Sequence, residues 1–90
     1  MTPIRIEKVG DINFTYPYLE LFKEQQLNPF MEIGITDDRE LSFTIYPIAE
    51  KVVLTLEQWE GILTTAKEFL PKALRDEDSF QEWYGKESKP

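Results

Sequence analysis

The hydrophobic period of this chain changes once, and that change limits what the chain can fold into. From residue 31 to residue 46 apolar and polar side chains alternate: Met31, Ile33 and Ile35 against Glu32, Gly34 and Thr36, then Leu41, Phe43 and Ile45 against Ser42, Thr44 and Tyr46. A period of two sends successive side chains to opposite faces of a strand, so each run has one face for a core and one for water. The polar stretch Asp37-Asp38-Arg39-Glu40 between the runs reads as a turn, and the whole as a hairpin. From Thr55 the spacing becomes three and four, through Trp59, Ile62, Leu63, Ala66, Phe69 and Leu70, with the phase continuing to Ala73 and Leu74. That is the stripe of an amphipathic helix. A sheet with one apolar face needs a cover, and this helix supplies one, with most of its Trp59-centred stripe expected in the core.

The ends of these elements carry their own signals. Thr55 with Gln58 three residues later is a capping box: the hydroxyl can accept from the Gln58 amide while the Gln58 side chain reaches back. Pro71 interrupts the stripe and predicts a kink or a restarted turn, because its ring clashes with the carbonyl of Lys67. Asp78 with Gln81 suggests another cap, opening a last turn around Phe80, Trp83 and Tyr84 that packs back on the sheet. Residues 85–90 read as a frayed tail. Ahead of the hairpin, Ile4 to Val9 alternate as a short strand. Residues 17–26 read as a short helix, with Pro17 in its first turn and Tyr18, Leu21 and Phe22 on one face. Asn28-Pro29 ends it. Lys51-Val52-Val53-Leu54 reads as a further strand. The expectation is one α+β domain, a three- to four-stranded antiparallel meander covered on one face by a C-terminal helix, with a short N-terminal helix.

Composition removes most chemistry. The 90 residues include neither cysteine nor histidine, which excludes disulfides, thiolate nucleophiles, the usual base near neutral pH and most transition-metal ligand sets. Carboxylates remain: Glu32, Asp37, Asp38 and Glu40 around the hairpin, and Asp76, Glu77 and Asp78 after the helix stripe. Neither group has the spaced ligands and glycine of an EF-hand loop. No phosphate-binding glycine loop is present. A glycosidase pair would need a cleft that nothing here suggests. The expectation is no catalysis, no metal and no cofactor. The opening residues lack a long apolar segment, so a cytoplasmic protein with no membrane role is expected.

What remains is recognition. The net charge is −7, which opposes binding to phosphate backbones and suits a basic partner. Alternation places Phe30, Glu32, Ser42, Thr44 and Tyr46 on the wet face of the hairpin, an aromatic and acidic surface fit for a protein partner. Its candidate contacts are Glu32, Asp37, Asp38, Glu40 and Tyr46. Gly34, mid-strand on the same face, signals a bulge or a close backbone approach.

Within residues 28 to 74, "NPFMEIGITDDRELSFTIYP" followed by "VVLTLEQWEGILTTAKEFL" resembles short acidic bacterial proteins, some of them similar to immunity proteins of polymorphic or contact-dependent toxin systems. The resemblance implies a non-enzymatic inhibitor that covers the active-site cleft of a basic toxin, often a nuclease, with acidic groups. It assigns no individual residue. The meander before an "L-x-x-x-QW" helix also resembles single-strand-binding coactivators of the whirly type, which present Lys and Arg on the open sheet face. Here that face carries Glu32 and hydroxyls, which argues against nucleic acid. A structural or homo-oligomerising role is the remaining alternative, so the expected state is monomer or homodimer.

Overall fold

Four strands and one helix follow in chain order: β1 (Ile4–Val9), β2 (Tyr18–Lys23), β3 (Met31–Ile35), β4 (Leu41–Ile45) and α1 (Leu56–Ser88). The structure, a computed structural model, describes residues 4–48 and 50–88, with side chains through residue 80. The strands make one antiparallel sheet in the order β1-β2-β3-β4. Every strand therefore lies beside its sequence neighbour, and short turns suffice to join them.

The first correction concerns residues 17–26, which form strand β2 and its turn instead of a helix. Tyr18-Leu19-Glu20-Leu21-Phe22 alternates as well as it follows a helical period. A lone helix of about ten residues is marginal in water. As a strand the same residues satisfy their backbone groups on both sides, against β1 and β3. Gln25, in the left-handed region at φ 62°, turns the chain out of β2. The second correction is the Lys51–Leu54 stretch, which is not a strand. It leads from sheet to helix, with Val52 and Leu54 packed on the core. With β1 and β2 in the sheet and no described strand beyond β4, the hairpin strand β4 becomes an edge.

Cross-strand register puts Leu19 opposite Ile33 and Ile33 opposite Phe43, and Leu21 opposite Met31 and Met31 opposite Ile45. These residues lie on the face turned toward α1, which covers β2 and β3 and leaves Phe43 and Ile45 of β4 exposed. The core is Leu19, Leu21, Phe30, Met31 and Ile33 from the sheet layer, closed by Ile62 and Ala66 of the helix. Each fully buried large apolar side chain contributes roughly 1.5–3 kcal/mol before entropy is subtracted. Phe30 is a third correction. Alternation set it on the wet face, but it precedes β3 at a point where the chain bends, and its ring joins the core.

Helix α1 begins as its cap dictates. The Gln58 amide donates to Thr55 Oγ1 at 3.0 Å, and the Thr55 amide donates to Gln58 Oε1 at 2.9 Å. The helix then continues without a break through Pro71, which is exposed. Its 33 residues span roughly 50 Å at 1.5 Å each, matching the long 55 Å dimension of the molecule. Asp78 is not a cap. It lies within α1 and receives two bonds from Arg39, Nη1 to Oδ1 and Nη2 to Oδ2, each 3.0 Å. The β3–β4 turn is thereby tied to the helix. Phe80 is exposed beside the β1–β2 loop, and the side chains of Trp83 and Tyr84 lie outside the described residues. Of residues 85–90, 85–88 continue the helix and 89 and 90 lie outside the description.

The apolar stripe of α1 splits in two. Ile62, Ala66 and Ala73 are buried, and Phe69 packs against the core cluster, whereas Trp59, expected at the centre, stands at the margin and is partly exposed. Alanines at the middle of the seam let the helix approach the sheet, and a tryptophan there would hold it away.

Candidate functional site

The sheet face turned away from α1 takes alternate residues of every strand: Arg5, Glu7 and Val9, then Tyr18, Glu20 and Phe22, then Glu32 and Gly34, then Ser42 and Thr44. Tyr46 follows directly after β4. Register sorts them into rows. Glu7 faces Glu20, Glu20 faces Glu32, and Glu32 faces Thr44. Three carboxylates thus stand side by side across three strands. Like charges directly opposite one another destabilise a sheet, so this row opposes folding.

The partners of each carboxylate differ. Arg5 Nε donates to Glu7 Oε2 at 2.8 Å, and its guanidinium lies 4.3 Å from the centroid of the Phe22 ring. That stacking covers Phe22, which is buried although it belongs to the open face. The Tyr46 hydroxyl donates to Glu32 Oε1 at 2.7 Å. A phenol shares the carboxylate's lone pair without cancelling its charge. Glu20, in the middle, makes no hydrogen bond or ion pair among the described residues.

Two tyrosines register the resulting negative potential. The Tyr46 phenol is pushed up to about 12, first by its bond to Glu32, then by burial, then by the charges of Glu32 and Glu20. The Tyr18 phenol is raised by partial burial and by Glu20, Asp11 and Glu32. Tyr18 also meets Phe14 edge to face, with centroids 5.8 Å apart.

Of the residues singled out by sequence, Glu32 and Tyr46 are brought into direct contact, and Ser42 and Thr44 share their face. Asp37, Asp38 and Glu40 are exposed on the β3–β4 turn at one end of the sheet. Asp37 reaches a groove of ≈ 150 Å³ whose walls include Phe14, Tyr18 and Glu32 and whose floor is Gly34 and Ser42. Gly34 marks no bulge, since pairing runs evenly through it. A methyl group there would meet Ser42 Oγ at an ordinary 3.5 Å. Asp38 and Glu40 stand at the rim. The Thr36 amide donates to the Glu40 carbonyl at 2.8 Å, closing the turn, and Arg39 adopts φ 67° within it. Its guanidinium is drawn off to Asp78, which raises the Arg39 pKa and lowers that of Asp78 through the bond between them. The turn's own cation is therefore committed to the helix, and its carboxylates are left without it.

The residues missed by sequence reasoning are Glu7, Tyr18 and Glu20. All three join the site only once residues 18–23 are a strand, and the alternation of Leu19 and Leu21 was the signal that could have shown it. Among the described residues no cluster of three or more potential ligand side chains is placed to hold a metal ion. No described helix is long and apolar enough to cross a membrane. The face pairs carboxylates with aromatic rings, a chemistry suited to lysine and arginine side chains.

Comparison with protein families, with curated proteins and with solved structures finds no match to this chain.

Proposed function

We propose that this chain is a non-enzymatic, cytoplasmic protein-binding module that receives a basic partner on the open face of its sheet, as an immunity protein receives a toxin. The observation that supports the reading best is the row Glu7–Glu20–Glu32, in which Glu20 has no counter-ion among the described residues. A row that opposes folding is retained where it serves something else, and a cationic side chain from a partner would supply the missing charge. Tyr18 and Tyr46 flank the row as aromatic anchors. Asp37, Asp38 and Glu40 extend the negative field beyond the face and would steer the approach of the partner. A phosphate backbone would meet these same carboxylates, and the one arginine on the face is already engaged with Glu7 and Phe22. Charge therefore favours a basic protein over nucleic acid.

The test is affinity capture from the host cell with wild-type protein and with Glu20→Lys, at low and at moderate salt. A basic protein retained by wild type and released by the variant supports the reading. Equal retention by both, or retention of nucleic acid, sinks it.

A further inference from the structure

Strand β4 is an edge of a kind that soluble proteins usually protect. In its ladder with β3, the Tyr46 amide donates to the Phe30 carbonyl and the Thr36 amide to the Glu40 carbonyl. Even-numbered residues of this segment therefore bond inward. The backbone groups of Leu41, Phe43 and Ile45 point outward, unpaired among the described residues. The opposite edge, β1, carries Arg5, Glu7 and Lys8, charges of the sort that block edge-to-edge pairing. Leu41-Ser42-Phe43-Thr44-Ile45 carries no charge, no proline and no bulge.

The side chains beside this edge are apolar and open to solvent. Phe43 is 41% exposed, Ile45 70%, Leu56 72% and Trp59 38%. Ile45, Leu56 and Trp59 line an open groove of ≈ 320 Å³ floored by Phe30 and Met31. The half-exposed side of the α1 stripe continues this surface, with Leu63, Leu70 and Leu74 following Leu56 and Trp59 at helical spacing. Four such side chains, the bare strand backbone and the leucines of the helix flank make one continuous apolar patch of the kind that marks a protein interface.

We propose that a second copy of this chain covers the surface, with the two β4 strands pairing antiparallel about a two-fold axis at Phe43. The strand is symmetric in chemistry about that residue: Leu41 would face Ile45 of the mate, Ser42 would face Thr44, and Phe43 would face itself. Each pairing matches like with like, and no charged pair arises within the strands despite the net charge of the chain. A basic partner would find nothing here to read, because the carboxylates that could attract it lie on the other face. The same axis directs Leu56 and Trp59 of one helix toward Leu70 and Leu74 of the other. The product is a continuous eight-stranded sheet, both helices on one side and both acidic rows on the other. The inference stands on the edge strand and helix flank alone and does not depend on the acidic-face reading.

Sedimentation equilibrium of the full chain at micromolar concentration tests it, beside the double variant Phe43→Lys/Ile45→Lys and the open-face variant Glu20→Lys. Wild type and Glu20→Lys should sediment at twice the 10.6 kDa chain mass, and the double variant at the chain mass with its helical circular dichroism retained. Hydrogen exchange supplies a readout that needs no variant. The amides of Phe43 and Ile45 should exchange more slowly in the wild-type dimer than on dilution to monomer. A wild-type monomer at every concentration overturns the proposal. So does a dimer lost in Glu20→Lys but kept in the double variant, and so do Phe43 and Ile45 amides whose exchange ignores concentration.

Discussion

Replacing Glu20 by glutamine preserves the shape of the side chain and removes one charge from the centre of the Glu7–Glu20–Glu32 row. Directly opposed like charges on a sheet destabilise by roughly 0.2–1 kcal/mol per pair. Two such pairs involve Glu20, but they are not equal. Glu7 is ion-paired with Arg5 at 2.8 Å, which offsets part of its charge, so its repulsion of Glu20 falls at the low end. Among the described residues Glu32 is bonded by the neutral Tyr46 hydroxyl, which leaves its charge in place, so its repulsion of Glu20 falls at the high end. The expected gain is about 1 kcal/mol, which raises the melting temperature by about 4–8 °C in a domain of this size. Urea denaturation followed by circular dichroism measures it. In 1 M salt, where the screening length is about 3 Å, most of the gain should vanish. A destabilised Glu20→Gln, or a gain that ignores salt, would refute the reasoning, since Glu20 would then be held by a partner instead of repelled by its neighbours.

Four further outcomes are expected. Gly61→Ala should stabilise the helix by about 0.8–1 kcal/mol, read as a shifted urea midpoint, because a methyl group there meets nothing within 4 Å. Ile33→Ala should destabilise by about 2–5 kcal/mol, since Ile33 is wholly enclosed between sheet and helix. Tyr46 should ionise near 12 by ultraviolet titration and return toward its ordinary value in Glu32→Gln. Between pH 10 and 12 the folded chain keeps a proton that the unfolded chain releases, so wild-type stability should fall as pH rises through that window. Charge reversal of Asp37, Asp38 and Glu40 together should slow association with a basic partner by an amount that shrinks with salt, and leave the unfolding midpoint within about 0.5 kcal/mol. Unchanged association kinetics would remove the steering role.

The candidate site was half legible. Glu32 and Tyr46 could be placed on one face because β3 and β4 alternate strictly on either side of a polar turn, and a hairpin's register follows from its turn. Glu7 and Glu20 could not. They belong to the site through pairing between β1 and β2 and between β2 and β3, and that pairing depends on whether Tyr18–Lys23 is a strand. The segment satisfies both periods, so local spacing cannot choose between them. The hydrogen bonds offered by two neighbouring strands can.

The helix divides along the same line. Its start at Thr55 and its apolar phase are local properties, dictated by a side chain bonding a backbone three residues away and by the 3.6-residue turn. Pro71 lies on the exposed side, where one missing internal bond does not stop a helix held to the sheet on both sides of it. Which part of the stripe becomes core is not a local property. Ile62, Ala66 and Ala73 are buried because the sheet is only wide enough to cover one side of the stripe, and Trp59 and Leu56 stay exposed because β4 is the last strand. The periods, the cap and the acidic balance are local in origin, since each acts over a few residues. Which strand is an edge and which carboxylates stand together depends on contacts between residues far apart in the chain, and the folded sheet sets both.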